Sequence, residues 1–190
     1  MRWPVFAILA YFFLAMELGL TRLLEVGSGV APSFVLVLMV FIAAHASTMP
    51  ALWAALILGA LVDLTSPLPY NRDVVIVLGP HAMGYLLGAL LTLQLRSLVY
   101  RRHPLMMAFL TLCAGLTVHI LAVFLLSVRH LLGAGLDFYA PFVWSSSDEL
   151  VHRFLVVLYT AMLAVPVNWI LQAFNHAFGF QSHPRMGHIR

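Results

Sequence analysis

Lysine is absent from these 190 residues, and charge of either sign is scarce: ten arginines and seven acids make up 9% of the chain. An ordinary soluble domain carries about 25% charged residues. That scarcity excludes a solvated globular surface. The arginines are scattered along the segments between apolar runs, which excludes a basic nucleic-acid patch despite the net charge of +3. A single cysteine, Cys113, excludes an internal disulfide framework and lies in an apolar segment, where a thiol packs as a small hydrophobe. A P-loop, a GxGxxG turn and a GxSxG elbow are also missing, as are internal repeats and low-complexity stretches.

What is present is hydrophobic: 63% of residues, with a mean hydropathy of +0.99. This composition is that of an integral membrane protein, and the length leads to the expectation of one bundle of five to seven spans without room for a second, soluble domain. Each span needs about 20 apolar residues to cross roughly 30 Å of hydrocarbon. The opening MRWPVFAILAYFFLAM is long for a signal peptide and no small-residue cleavage site follows, so it is expected to remain as the first span. Six spans are predicted, at about residues 3–24, 33–47, 51–65, 74–99, 104–128 and 147–174. They form a transmembrane domain over 1–178, followed by a polar cytoplasmic tail, 179–190. Pro32 and Pro50 stand at helix starts, where the first N–H groups have no intrahelical partner. Gly79 and Pro80 are expected to break or kink the first turns of the fourth span, and Pro166 to bend the sixth. The segment from Leu131 to Ser147 carries Phe138, Tyr139, Phe142 and Trp144, aromatics suited to a headgroup boundary. Ser146 and Glu149 offer a capping box for the last helix. The RSLVYRRH turn, with Arg96, Arg101 and Arg102, places both termini in the cytoplasm by the positive-inside rule.

Two acids fall inside the apolar runs. Ala51, Ala55, Gly59 and Asp63 are spaced four apart and form one ridge, in which three small residues admit a neighbouring helix. Asp63 therefore faces protein, and Arg22, Arg72, Arg129 and Arg153 are candidate partners. Glu17, about two-thirds along the first span, is expected either to meet Arg22 or a histidine or, one helical turn further on, to reach the outer interface. Gly84 and Gly88 form a GxxxG step that predicts helix packing. Glu149 and Arg153 are spaced for a local ion pair. Nine histidines raise a metal or haem possibility, but no HxxxH pair places two on one helix face, so interfacial or hydrogen-bonded histidines are expected. Adjacent Asp148 and Glu149 point to different sides of a helix and do not make a catalytic pair.

Pro32 opening a short span, a second short span ending in GALVDLTS, a turn, and a glycine-rich span around Ala82 to Leu90 together resemble the MreD family of bacterial rod-shape-determining membrane proteins. The likeness covers roughly residues 30 to 100, and its best-defined part is Gly59, Asp63 and Ser66, spaced G-x-x-x-D-x-x-S. The chain departs from the family after the aspartate, where Pro67, Leu68, Pro69, Tyr70 and Asn71 replace an early glycine. The resemblance implies an all-α polytopic fold, a six-helix bundle similar to the substrate-binding components of energy-coupling-factor transporters. It implies a non-enzymatic scaffold without cofactor or metal in the bacterial inner membrane. Its partners would be the lipid bilayer and an MreC-like bitopic protein, and through that an MreB-like filament, a RodA-like synthase and a class B penicillin-binding protein. The same bundle could instead serve as the substrate-binding component of a vitamin-type transporter.

Overall fold

A computed structural model describes residues 2–27, 29–66, 68–70, 73–75, 77–97, 105–134 and 146–173. Six helices carry the fold: α1 (Trp3–Leu24), α2 (Phe34–His45), α3 (Thr48–Thr65), α4 (Pro80–Leu95), α5 (Leu105–Ala134) and α6 (Ser146–Ala173). Between α3 and α4, β1 (Leu68–Tyr70) pairs antiparallel with β2 (Asp73–Val75), Leu68 opposite Val75. α1, α3, α5 and α6 are long and apolar enough to cross a membrane. α2 and α4, with 12 and 16 residues, are not: at about 1.5 Å per residue they cover roughly 18 and 24 Å.

The start of the fourth helix moves from the expected Val74 to Pro80. Its expected start, Val74, is tied into the hairpin, and Gly79 takes φ of 131°, a conformation that L side chains rarely adopt. Pro80 then supplies the fixed φ of a first helical residue. Gly79 and Pro80 therefore begin the helix and do not kink it. α5 continues to Ala134, past the expected end at Val128, while α6 runs unbroken through Pro166. Arg72, Arg101, Arg102, the aromatic segment from Phe138 to Trp144, the tail, and the side chains of Arg129, Ser146, Asp148 and Glu149 lie outside the described residues.

α2 sits at the centre. Every residue from Phe34 to Ala44 is buried, and α2 packs against each of the other five helices. FVLVLMVFIAAH has no polar face, which suits a helix enclosed on all sides. Enclosure creates a difficulty at its ends, because the first four N–H and last four C=O groups of a helix lack intrahelical partners. At the C-terminal end Arg96 Nη1 donates to Ala43 O at 3.0 Å and to Ala46 O at 2.6 Å. A cation there also complements the negative end of the helix dipole. Arg96→Met should therefore lower stability by about 2–3 kcal/mol, since it strands two acceptors of a charged donor. A melt in detergent that matches the parent would exclude this capping role.

The packing between α3, α4 and α5 depends on glycine. A Cβ on Gly59 would stand 2.6 Å from Ala82 Cα and 2.7 Å from His81 O, so the first turn of α4 rests directly on α3. On its other side α4 meets α5 through Gly84 and Gly88, whose added Cβ atoms would meet Val118 O at 2.9 Å and Ala114 O at 3.2 Å. Ala51 and Ala55 are buried on the same ridge as Gly59.

Candidate functional site: two capping carboxylates and an arginine shared by two histidines

Asp63 lies one turn beyond Gly59 on the ridge, and its side chain is 1% exposed. Its Oδ2 accepts from Gly79 N at 2.8 Å and from Ala82 N at 3.1 Å. Oδ1 accepts from His81 N at 3.0 Å and from His81 Nδ1 at 2.8 Å. Pro80 has no N–H, so every free amide from Gly79 to Ala82 is bonded to this one carboxylate. Asp63 is thus an N-cap delivered from another helix, with its charge against the positive end of α4. Gly59 makes this possible, because only a residue without Cβ lets the backbone of α4 come within reach of Asp63.

Glu17 does the same for α2. Its Oε2 accepts from Val35 N at 2.7 Å, and the Ser33 hydroxyl lies 3.1 and 3.2 Å from the two carboxylate oxygens. The Phe34 amide also faces this carboxylate. Ser33 Oγ accepts from Leu36 N at 3.2 Å, and Ser33 N donates to Thr160 Oγ1 at 2.9 Å. The buried Tyr85 lies beside Ser33. Each end of α2 is therefore closed by groups from other helices.

Among the described residues these contacts stand where Arg22 was expected as a partner of either acid. Arg22 is exposed on the last turn of α1, where a cation suits the helix C-terminus. Glu17 is satisfied by amides and a hydroxyl. Among the described residues Asp63 meets a guanidinium at second hand, while Arg72 and the Arg129 side chain, two of its expected partners, lie outside them. Arg153 Nη1 lies 3.3 Å from His81 Nε2 and 3.2 Å from His119 Nδ1. Because a carboxylate only accepts, His81 carries its proton on Nδ1, and its Nε2 lone pair receives one Arg153 hydrogen. His119 Nδ1 receives the other, so its own N–H is on Nε2. That nitrogen is buried and has no hydrogen-bond partner among the described residues, a cost of about 1–3 kcal/mol. The two imidazole rings stand 6.4 Å apart and nearly perpendicular.

The histidines thus meet across helices. A same-helix spacing test cannot register this, since His81, His119 and Arg153 come from α4, α5 and α6. Among the described residues no group of three or more His, Cys, Asp or Glu converges as a metal site. Gly84 and Gly88 belong to the α4–α5 contact, and Ser66 is the exposed C-cap of α3. All six helices or their caps supply the polar layer: Glu17, Ser33, Asp63, His81, Tyr85, His119, Arg153 and Thr160. Chemically it can terminate buried helices and hold protons at fixed nitrogens. Compared with protein-family models, curated proteins and solved structures, the chain matches none.

Proposed function

We propose that this protein is a non-enzymatic membrane scaffold of the bacterial cell-elongation machinery, of the MreD kind, that binds an MreC-like single-span partner. One observation carries the reading: both interior carboxylates are consumed by helix N-termini, so the strongest interior charges hold shape and present no open oxygen to a substrate. The Gly59, Asp63 and Ser66 pattern that carries the MreD resemblance also falls on the α3–α4 joint, where a change would alter the whole outer end of the bundle. In this reading α2 and α4 complete six spans. Their short lengths are tolerated because their ends are capped inside protein and not left facing lipid. Both termini are cytoplasmic, with Arg96 at the inner end, and the fold is similar to the substrate-binding components of energy-coupling-factor transporters.

The test is co-expression with an affinity-tagged MreC-like protein, solubilisation in mild detergent, and native mass spectrometry. Scaffold function predicts a stable complex with the bait and no retained small molecule. Failure to co-purify, with a vitamin-sized ligand held by the isolated chain, would replace this reading with the transport one.

A further inference from the structure

We propose that the α3–α4 face of the bundle stands in a locally thinned bilayer. Its partner is lipid whose acyl chains span about 22 Å there, against about 30 Å around α1, α5 and α6. This does not depend on the scaffold reading. On α1 the outermost exposed large apolar side chains are Trp3 and Leu23, and on α6 they are Leu150 and Ile170. Each pair is separated by about 30 Å of helix. On α5, Leu105 and Phe124 are about 28 Å apart. These three helices match an ordinary hydrocarbon layer. On α3 the corresponding residues, Met49 and Leu64, are about 22 Å apart.

Polar groups close the shorter band at both ends. Before Met49 stand the exposed His45, Ser47 and Thr48. The end of α4 lies beside them, since Arg96 bonds Ala43 O and Ala46 O, and it exposes Gln94 and Ser97. After Leu64 the chain leaves α3 at the exposed Ser66 and enters the β1–β2 hairpin. Among the described residues that sheet has two strands, hence two open edges. Unpaired main-chain groups do not face hydrocarbon, so the hairpin lies outside it. Nor does tilting the bundle supply the missing length. Arg153 joins His81 and His119 in one layer, with Asp63 bonded to His81. From that layer α3 and α4 run about 22 Å to Thr48 and Arg96, whereas α6 runs about 30 Å to Ala173. On the other side α3 ends and α4 begins within a turn of the layer, while the exposed Phe124 of α5 stands about 7 Å beyond it. The α3–α4 face is therefore short at both ends, and a tilt shortens one end only. Full-thickness hydrocarbon would immerse hydroxyls and an amide, whereas lipid compresses at modest cost.

The experiment uses the full chain with Cys113→Ser in dioleoyl phosphatidylcholine nanodiscs, which leave both membrane faces open to solution. Single spin labels replace Met49 or Leu64 on α3, or Phe154 or Trp169 on α6, all exposed positions. The two pairs have the same spacing along their helices, about 22 Å. Power saturation compares collisions with a water-soluble nickel chelate and with oxygen. Both α3 labels should lie at headgroup level, with nickel collisions several-fold above those of both α6 labels, which stay in the oxygen-rich interior. Two α3 labels as dry as the α6 pair overturn the proposal, because the bilayer is then equally thick on both sides. One wet and one dry label on α3 also overturn it, as the mark of a tilted bundle. Unlabelled cysteines at the same four positions give a second reading that does not depend on how a label packs. A water-soluble maleimide should modify the α3 pair several-fold faster than the α6 pair, and equal rates overturn the thinned face.

Discussion

Asp63→Leu should leave almost no monodisperse protein in detergent, and Asp63→Asn should be nearly as damaging. The reason is the number of donors on one carboxylate: Gly79 N, His81 N, Ala82 N and His81 Nδ1 are all bonded to it. Leucine strands three main-chain amides, at about 1–3 kcal/mol each, against a total stability of about 5–15 kcal/mol for a typical protein. Asparagine keeps the shape but turns an NH2 group toward two N–H donors, so one pair of bonds becomes a pair of repulsions. A simple charge pair predicts a different order, with Asn much milder than Leu. Fluorescence-detected size exclusion of the two variants separates these outcomes, and a well-folded Asp63→Asn protein would contradict the cap.

Gly59→Ala is the second large effect, surprising for the addition of one methyl group. The new Cβ would lie 2.6 Å from Ala82 Cα and 2.7 Å from His81 O, and backbone cannot rotate away as a side chain can. α4 must move, and with it the amides that Asp63 caps. Overpacking of this kind costs about 1–3 kcal/mol, and the strained cap adds to it. Gly19→Ala provides the contrast, because a Cβ there meets nothing within 4 Å; it should be neutral or gain up to about 1 kcal/mol from helix propensity. The exposed Ile57 on α3 is a suitable control for general sensitivity of that helix. Equal melting temperatures for Gly59→Ala, Gly19→Ala and Ile57→Ala would remove the close α3–α4 approach from the account.

Much of this architecture was legible from residue spacing. α1 has the bounds expected, and the Ala51, Ala55, Gly59 ridge faces protein as small residues four apart should. Asp63 follows it into the interior. The partners of the two acids were not legible, for a physical reason: most of their donors are main-chain amides, which every residue but proline owns and which sequence does not distinguish. A usable signal did exist in Ser33 ahead of a wholly apolar run, and in Gly79 with Pro80 as a helix start. Two short helices that open in the interior need something negative nearby, and Glu17 and Asp63 were the acids at hand. Arg153 was among the candidate partners of Asp63, but its route through His81 depends on three helices meeting, which no single-helix periodicity encodes. Arg96 was read as a topological charge, and its hydrogen bonds to α2 arise only once α2 and α4 lie side by side.

At the centre stands a carboxylate from a neighbouring helix at the N-terminus of each short helix, Glu17 at α2 and Asp63 at α4. Residue-resolved amide hydrogen exchange in nanodiscs tests it most directly, comparing the parent with Gly59→Ala, which displaces the capped amides of α4 and leaves the carboxylate in place. Slow exchange is expected at Gly79, His81 and Ala82 in the parent, faster by about tenfold for each 1.4 kcal/mol of lost protection in the variant, with Val35 under Glu17 much less affected. Exchange at His81 and Ala82 that is already fast in the parent, or equally slow in the variant, would contradict it.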